Sequence, residues 1–275
     1  YKHHICAVSG IAWDHANIYP NEADYVAQFQ KLLALTPKAG SIIYYNKDKK
    51  LKGFVKKGTY EDANLLPYEA HSHSIKDGKT ILKAKKGKVE VQIFGKHNME
   101  NLNAARAVCA EIGITEEQFY EAIPSFKGAD KRLELVSKNE NTAIYTDFAH
   151  APSKVRATIE ALKSQFPKQK LVACFELHTF SSLNKDFLPQ YKDTMKVADE
   201  AIVFFDPEKV ASKGYQNLDK NDIIQAFNKK GLQVFTDKET LKNHLSLVDL
   251  ENKNLLMMSS GTFGGLDLKE LSVIS

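Results

Sequence analysis

The sequence predicts an α/β protein in two parts, and three observations carry that prediction. From residue 143 onward, short apolar runs alternate with segments of helical periodicity. Alternation at this spacing gives right-handed βαβ units and a mostly parallel sheet. Between about residues 68 and 94, short alternating runs flank KDGK and KKGK, which is the turn chemistry of a small antiparallel β-meander. A glycine turn at Gly95 then feeds FGKHNMENLNAARAVCAEIG, a helix that ends at Gly113.

The elements follow in order. ICAVS, residues 5–9, is an apolar strand that runs into the loop GIAWDHANIYP. Asn21 caps a helix whose apolar residues Val26, Phe29, Leu32 and Leu33 recur at helical spacing. GSIIYYN is a second strand. The lysine-rich runs at 47–57 and 76–88 read as solvated ribbon edges. Thr115 with Gln118 makes a capping box for a further short helix. FKGADKR, residues 126–132, is a connector, and the expected domains are 1–131 and 132–275. In the second, strands are expected at 143–147, 170–176, 201–205, 232–236 and 254–259. Helices are expected near 152–165, 185–197, 220–230 and 238–247.

Composition excludes several classes. Hydrophobic residues make up 43% and charged residues 26%, as in a globular domain rather than a disordered chain. The net charge of +4 argues for neither nucleic acid nor a membrane surface as partner. No apolar run approaches the ~18 residues of a membrane span, and no signal peptide is visible. Cys6, Cys109 and Cys174 each sit in an apolar context, as buried reduced thiols do, which fits a reducing cytoplasm.

In open α/β sheets, ligands bind at the carboxyl ends of the strands. Those ends here carry Asp147–His150, Glu176–Asn184, Asp206 and Ser259–Gly265. Asn98 and Asn101 share a helix face behind Gly95. Their carboxamides could match a purine edge, or His97 and Asn98 could simply cap the helix while Asn101 faces water. Asp14-His15 is either an oriented metal ligand or a capped loop. Arg132, with Lys131, suits a phosphate or a surface pair with Glu134. FELHTFSSLN offers Glu176, His178, Thr179, Ser181 and Ser182 either as a ligand loop or as plain surface. MMSSGTFGGLD offers backbone amides at Gly261, Gly264 and Gly265 for an anion, or merely a turn needing positive φ. No G-x-x-x-x-G-K-[ST] occurs: DGKT ends correctly, but residue 73 is His where Gly is required.

Taken in order, Asp-His, G-x-H-N-x-x-N-x-x-A-A, Lys-Arg-x-Glu, D-F-A-H-x-P and a late glycine turn resemble the Mur ligase family across essentially the whole chain. The resemblance implies the C-terminal part of the family's central ATPase domain, with the meander, followed by a Rossmann-like C-terminal domain. The UDP-binding domain and P-loop are missing from it, so an N-terminally truncated ligase is expected, inactive as this segment alone. The implied reaction is ATP-dependent amide formation through an acyl phosphate, with ATP and Mg²⁺ as cofactors and UDP-N-acetylmuramate plus an amino acid or peptide as partners.

Carried over by residue, the resemblance places His15 at the metal and His97, Asn98 and Asn101 on the adenine side. Arg132, with Lys131, approaches the nucleotide, Asp147 takes the ribose, and His150 sits near the reacting phosphate. Arg132 and His150 are the expected catalytic pair. His178, Thr179 and Ser182, with Ser259, Ser260 and Gly264, are the expected residues for the incoming substrate. DFAHAP resembles the branch whose members add either L-alanine or L-alanyl-γ-D-glutamyl-meso-diaminopimelate, and MSSGTFGGL more closely resembles the member that adds that tripeptide in peptidoglycan recycling. The alternatives are addition of L-alanine and a non-catalytic nucleotide- or peptide-binding module. Ala151 stands where the family pattern has a second histidine, and residues 177–184 contain no arginine.

Overall fold

The structure is a computed structural model and describes residues 2–58, 60, 62–214 and 218–268. The chain divides into two compact units, 1–127 and 128–275.

The first unit opens with β1 (Ile5–Val8), α1 (Glu22–Ala34), β2 (Ser41–Tyr45), α2 (Lys49–Lys57) and β3 (Asn64–Tyr68). The strands form a parallel sheet in the order β1-β2-β3. All five residues of central β2 are buried, as an apolar run covered on both faces requires. Asn21 caps α1 by accepting from Asp24 N–H at 3.0 Å.

The ribbon expected at 47–57 is instead the helix α2. Asp48 accepts from Lys50 and Leu51 N–H, each at 3.0 Å, and starts it. Leu51, Phe54 and Val55 then fall on one face; Leu51 and Val55 are fully buried, while the lysines cover the rest. Helical spacing of three apolar residues overrode the charge run that surrounds them.

The expected meander is present as β4 (His73–Lys76), β5 (Lys79–Ala84) and β6 (Gly87–Val91), a separate antiparallel sheet. Asp77 and Gly78, both at positive φ (51° and 72°), make its first two-residue turn. Next comes α3 (Lys96–Glu111), which starts after Gly95 at φ 89°, and then α4 (Glu116–Ala122), which carries the expected Thr115–Gln118 capping box.

The second unit contains β7 (Glu134–Lys138), β8 (Ala143–Asp147), α5 (Pro152–Gln165), β9 (Lys170–Leu177), β10 (Glu200–Phe205), α6 (Pro207–Ser212), α7 (Lys220–Phe227), β11 (Gln233–Phe235), α8 (Lys238–Leu247) and β12 (Lys253–Met258). Its six-stranded sheet runs β11-β10-β9-β12-β8-β7, parallel except where β7 pairs antiparallel with β8. The carboxyl ends of β10, β9, β12 and β8 therefore lie side by side.

The helix expected at 185–197 does not form. Pro189 and the positive φ of Asp193 (60°) interrupt it, leaving one 3-10 turn at Leu188–Tyr191. Aromatic packing replaces the helix: the buried Tyr191 ring stacks on Phe227 at 5.1 Å and lies 5.5 Å from Phe175. Among the described residues no helix is long and apolar enough to cross a membrane. All three cysteines are free; Cys6 and Cys174 are buried, but Cys109 is only half-buried.

Leu51→Ala should destabilise the first unit by roughly 2–5 kcal/mol, the usual range for a large-to-small change in a closed core. Lys56→Ala, on the exposed face, should stay within about 0.5 kcal/mol. Urea unfolding followed by fluorescence of Trp13, the single tryptophan, distinguishes the two.

Candidate functional site

In the first unit, His15 is exposed at φ 56°, and its N–H donates to the buried Asp14 carboxylate at 2.8 Å. His97 and Asn98 are half-buried in the first turn of α3, and Asn101 is exposed on the next. Among the described residues no side chain caps this helix. Asn98 instead sends its amide group back to Phe94 carbonyl at 2.8 Å, which orients the carboxamide at the glycine turn.

In the second unit, the end of β8 gathers four expected residues. Asp147 is only 3% exposed. One of its oxygens accepts from Leu133 N–H at 2.8 Å; the other accepts from Ala149 N–H at 2.7 Å and from Thr158 hydroxyl at 3.3 Å. This carboxylate is first a clamp that ties residue 133, the strand end and α5 together. A carboxylate has about four acceptor sites, so one further hydroxyl can be accepted.

The clamp holds an unusual backbone. Lys131 and Leu133 both have positive φ (51° and 46°), a conformation that costs a non-glycine residue ~1 kcal/mol or more. It turns Arg132 outward, over the Phe148 ring at 5.3 Å. Lys131 carbonyl accepts from Phe148 N–H at 2.8 Å, closing the turn. His150 lies edge-on to Phe148, centroids 5.3 Å apart, with Nδ1 at 3.0 Å from Phe148 carbonyl. That carbonyl can only accept, so Nδ1 is the donor of this bond. Ala151 is 3% exposed at the start of α5, a packed position filled by a methyl group.

The ends of β9 and β12 form a second cluster around Glu176, which the sequence places at a strand end but gives no role. Glu176 is 1% exposed. Its Oε2 accepts from Ser259 hydroxyl and from Phe263 N–H, the latter at 2.7 Å. Its Oε1 lies 3.5 Å from His178 Nδ1 and 3.7 Å from Lys209 Nζ. Ser259 hydroxyl in turn accepts from Gly261 N–H at 2.6 Å, and Ser259 N–H donates to Asp147 carbonyl at 3.0 Å, joining this cluster to the first. A Cβ on Gly261 would meet His178 Nδ1 at 2.6 Å, so only glycine lets the turn pass so close.

Ser260 Oγ is buried with no hydrogen-bond partner among the described residues. Thr179 and Ser182 bond one another, hydroxyl to hydroxyl at 3.0 Å, and shape the loop from within. Gly264, at φ 69°, packs on Lys238 rather than on the cluster. Burial lowers the His178 pKa most; Glu176 raises it, while Lys209 and Lys213 lower it further. Burial also pushes the Cys174 thiol up, with Glu176 adding to the effect, so this thiol stays protonated.

Residues 1–109 match the Mur ligase middle domain, and residues 131–261 match the Mur ligase, glutamate ligase domain. The chain belongs to the Mur ligase family. A UDP-N-acetylmuramate–L-alanine ligase of Desulfitobacterium hafniense is 28% identical over 213 residues, covering 74% of this chain and 47% of that protein. The chain spans about half the length of the curated relatives it matches. Among solved structures, a murein peptide ligase from Psychrobacter arcticus is similar at TM-score 0.61 and 19% identity, over 100% of this chain and 59% of that one. The MurF ligase of Thermotoga maritima in complex with ADP is similar at TM-score 0.70 and 16% identity, over 94% and 59%. These two likenesses speak for the fold.

The cofactors the family implies fit this chain unequally. Within the first unit, the Asn98 carboxamide, oriented at a glycine turn, suits the edge of a purine base; within the second, Asp147 has room to accept a ribose hydroxyl; and the sequence holds no P-loop for phosphates. Magnesium does not fit His15 alone. It prefers oxygen ligands, and no group of three or more ligating side chains occurs among the described residues.

Two measurements check this construction. Asp147→Ala strands the Leu133 and Ala149 N–H groups and should lose roughly 2–5 kcal/mol in urea unfolding, with Asp147→Asn, which keeps one acceptor, losing less. In an NMR titration of His178, Glu176→Gln should move the midpoint further down and Lys209→Met should move it up.

Proposed function

We propose that the protein containing this chain is an ATP-dependent, amide-forming ligase of the cytoplasm that joins L-alanine to UDP-N-acetylmuramate. The observation that carries this reading is the 28% identity, over 74% of the chain, to an L-alanine ligase. Neighbouring strand ends that hold Asp147, Arg132, His150 and Glu176 support it. L-alanine thus takes precedence over the tripeptide expected from the sequence. The tripeptide L-alanyl-γ-D-glutamyl-meso-diaminopimelate is the second reading, favoured by the SSGTFGG turn.

In this reading His97, Asn98 and Asn101 are the adenine-side residues of the first unit, and Asp147 is the ribose-side residue of the second. ATP supplies, when bound, the phosphoryl group that activates a carboxylate for amide formation. Phosphoryl transfer depends on positioning and charge neutralisation, and Lys131 and the outward-turned Arg132 provide positive charge at the β8 end. The incoming amine reacts only when deprotonated. His150, held against Phe148 at the β8 end, is the residue that takes that proton in this reading. His178, Thr179, Ser182, Ser259, Ser260 and Gly264 shape the loops for the incoming substrate, and the unpartnered Ser260 hydroxyl is the group there best able to bond it.

Release of ADP by the full-length protein with UDP-N-acetylmuramate is the test. L-alanine is expected to drive it with a higher kcat/KM than the tripeptide. The reverse order would select the second reading, and release with neither would overturn both.

A further inference from the structure

We propose that Lys209 and Lys213, from the crossover that follows β10, receive the carboxylate of the incoming amine substrate, and that Glu176 positions Lys209. The inference rests on the ligase reading above and deepens it.

The loop that leaves β9, residues 177–184, contains no lysine or arginine. Any cation at this strand end must come from elsewhere in the fold. β10 lies beside β9 in register, with Phe204 opposite Glu176 and Phe205 opposite Leu177. Asp206 then accepts from Glu208 N–H at 2.9 Å, and Pro207 takes the first helical position, so α6 begins directly at the strand end. That abrupt start puts Lys209 next to the β9 loop rather than past it.

Lys209 Nζ lies 3.4 Å from His178 Nδ1 and 3.7 Å from Glu176 Oε1. Lys213 Nζ stands 3.9 Å from the centroid of the Phe180 ring, in the same loop. The two lysines therefore flank the β9 loop, one at each of its side chains His178 and Phe180. Glu176 is the fixed point. It is almost fully buried, its Oε2 is held by Ser259 hydroxyl and Phe263 N–H, and its Oε1 faces Lys209 and His178.

The charges do not cancel. Lys209 and Lys213 bring two positive charges and Glu176 one negative, while burial favours the neutral form of His178. One positive charge is left over at a half-buried position. Among the described residues no acid pairs with Lys213, and both burial and Lys209 push its ammonium pKa down. An ammonium so placed is stabilised by a monoanion of matching size. A carboxylate supplies one charge and balances the cluster, whereas a phosphate dianion would leave it net negative.

Steady-state kinetics of the full-length protein test the assignment. Lys213→Met and Lys209→Met should each raise KM for L-alanine about tenfold, the loss of one charge-assisted hydrogen bond, with KM for ATP unchanged. Glu176→Gln should raise it as well. L-alaninol, which lacks the carboxylate, should be a poor acceptor whose kcat/KM is the same in wild type and all three variants. Lys168→Met, an exposed lysine elsewhere in this unit, serves as control and should change nothing. An unchanged KM for L-alanine, a raised KM for ATP, or an equal loss with L-alaninol overturns the proposal. So does weaker inhibition by inorganic phosphate with KM for L-alanine intact, which would mark a phosphate site. If no amine acceptor supports ADP release, the ligase reading has failed and acetate decides instead: saturable shifts of the Lys209 and Lys213 ε-methylene NMR signals uphold the carboxylate site, and their absence ends it.

Discussion

A carboxylate buried at the end of a parallel strand has to be given hydrogen-bond donors by whatever surrounds it. An unpaired buried charge would cost several kcal/mol. The second unit meets this constraint twice, at Asp147 on β8 and at Glu176 on β9, and much of its local geometry is the answer. Asp147 collects donors from Leu133, Ala149 and Thr158, which come from three separate segments. Glu176 collects them at Oε2 from Ser259 and Phe263, while its Oε1, with no hydrogen bond among the described residues, faces the charge of Lys209 and the His178 ring. One hydrogen bond, Ser259 N–H to Asp147 carbonyl, joins the two assemblies.

Several features that look independent follow from this. The left-handed backbone at Lys131 and Leu133 is tolerated because the Leu133 N–H ends on Asp147. Phe263, also at positive φ (50°), delivers its N–H to Glu176. Gly261 has to be glycine because the chain passes within contact distance of His178 and Glu176 on its way there. At Lys131, Leu133 and Phe263 the left-handed backbone thus serves the two buried carboxylates.

The α/β class, the antiparallel meander, the parallel second sheet and the Thr115–Gln118 capping box were legible because each rests on local spacing or turn chemistry. The failures have local causes too. At 47–57 the density of lysines hid the Leu51-Phe54-Val55 stripe that makes α2. At 185–197 the apolar residues suggested a helix, yet Pro189 and Asp193 break it and the Tyr191–Phe227 stack takes over its packing. β7 and α6 were missed, although Asp206-Pro207 is a readable helix start. Of the candidate site, the motif positions at strand ends could be named in advance. What each side chain touches could not: Asp147 is largely occupied by its own chain, Gly264 packs on Lys238, and Thr179 and Ser182 bond each other.

By itself the sequence determined the periodicities, the turns and the order of motifs, and hence the fold class and the family resemblance. These depend on neighbours within a few residues along the chain. Tertiary structure alone decided that Glu176, distant in sequence from Lys209 and Ser259, is the centre of a cluster. It also decided that the positive charge missing from residues 177–184 is supplied by the next crossover. The physical reason is the strand order: β10-β9-β12-β8 sets side by side ends that lie far apart in the chain, and a buried carboxylate draws its donors from whichever segments the sheet has made its neighbours.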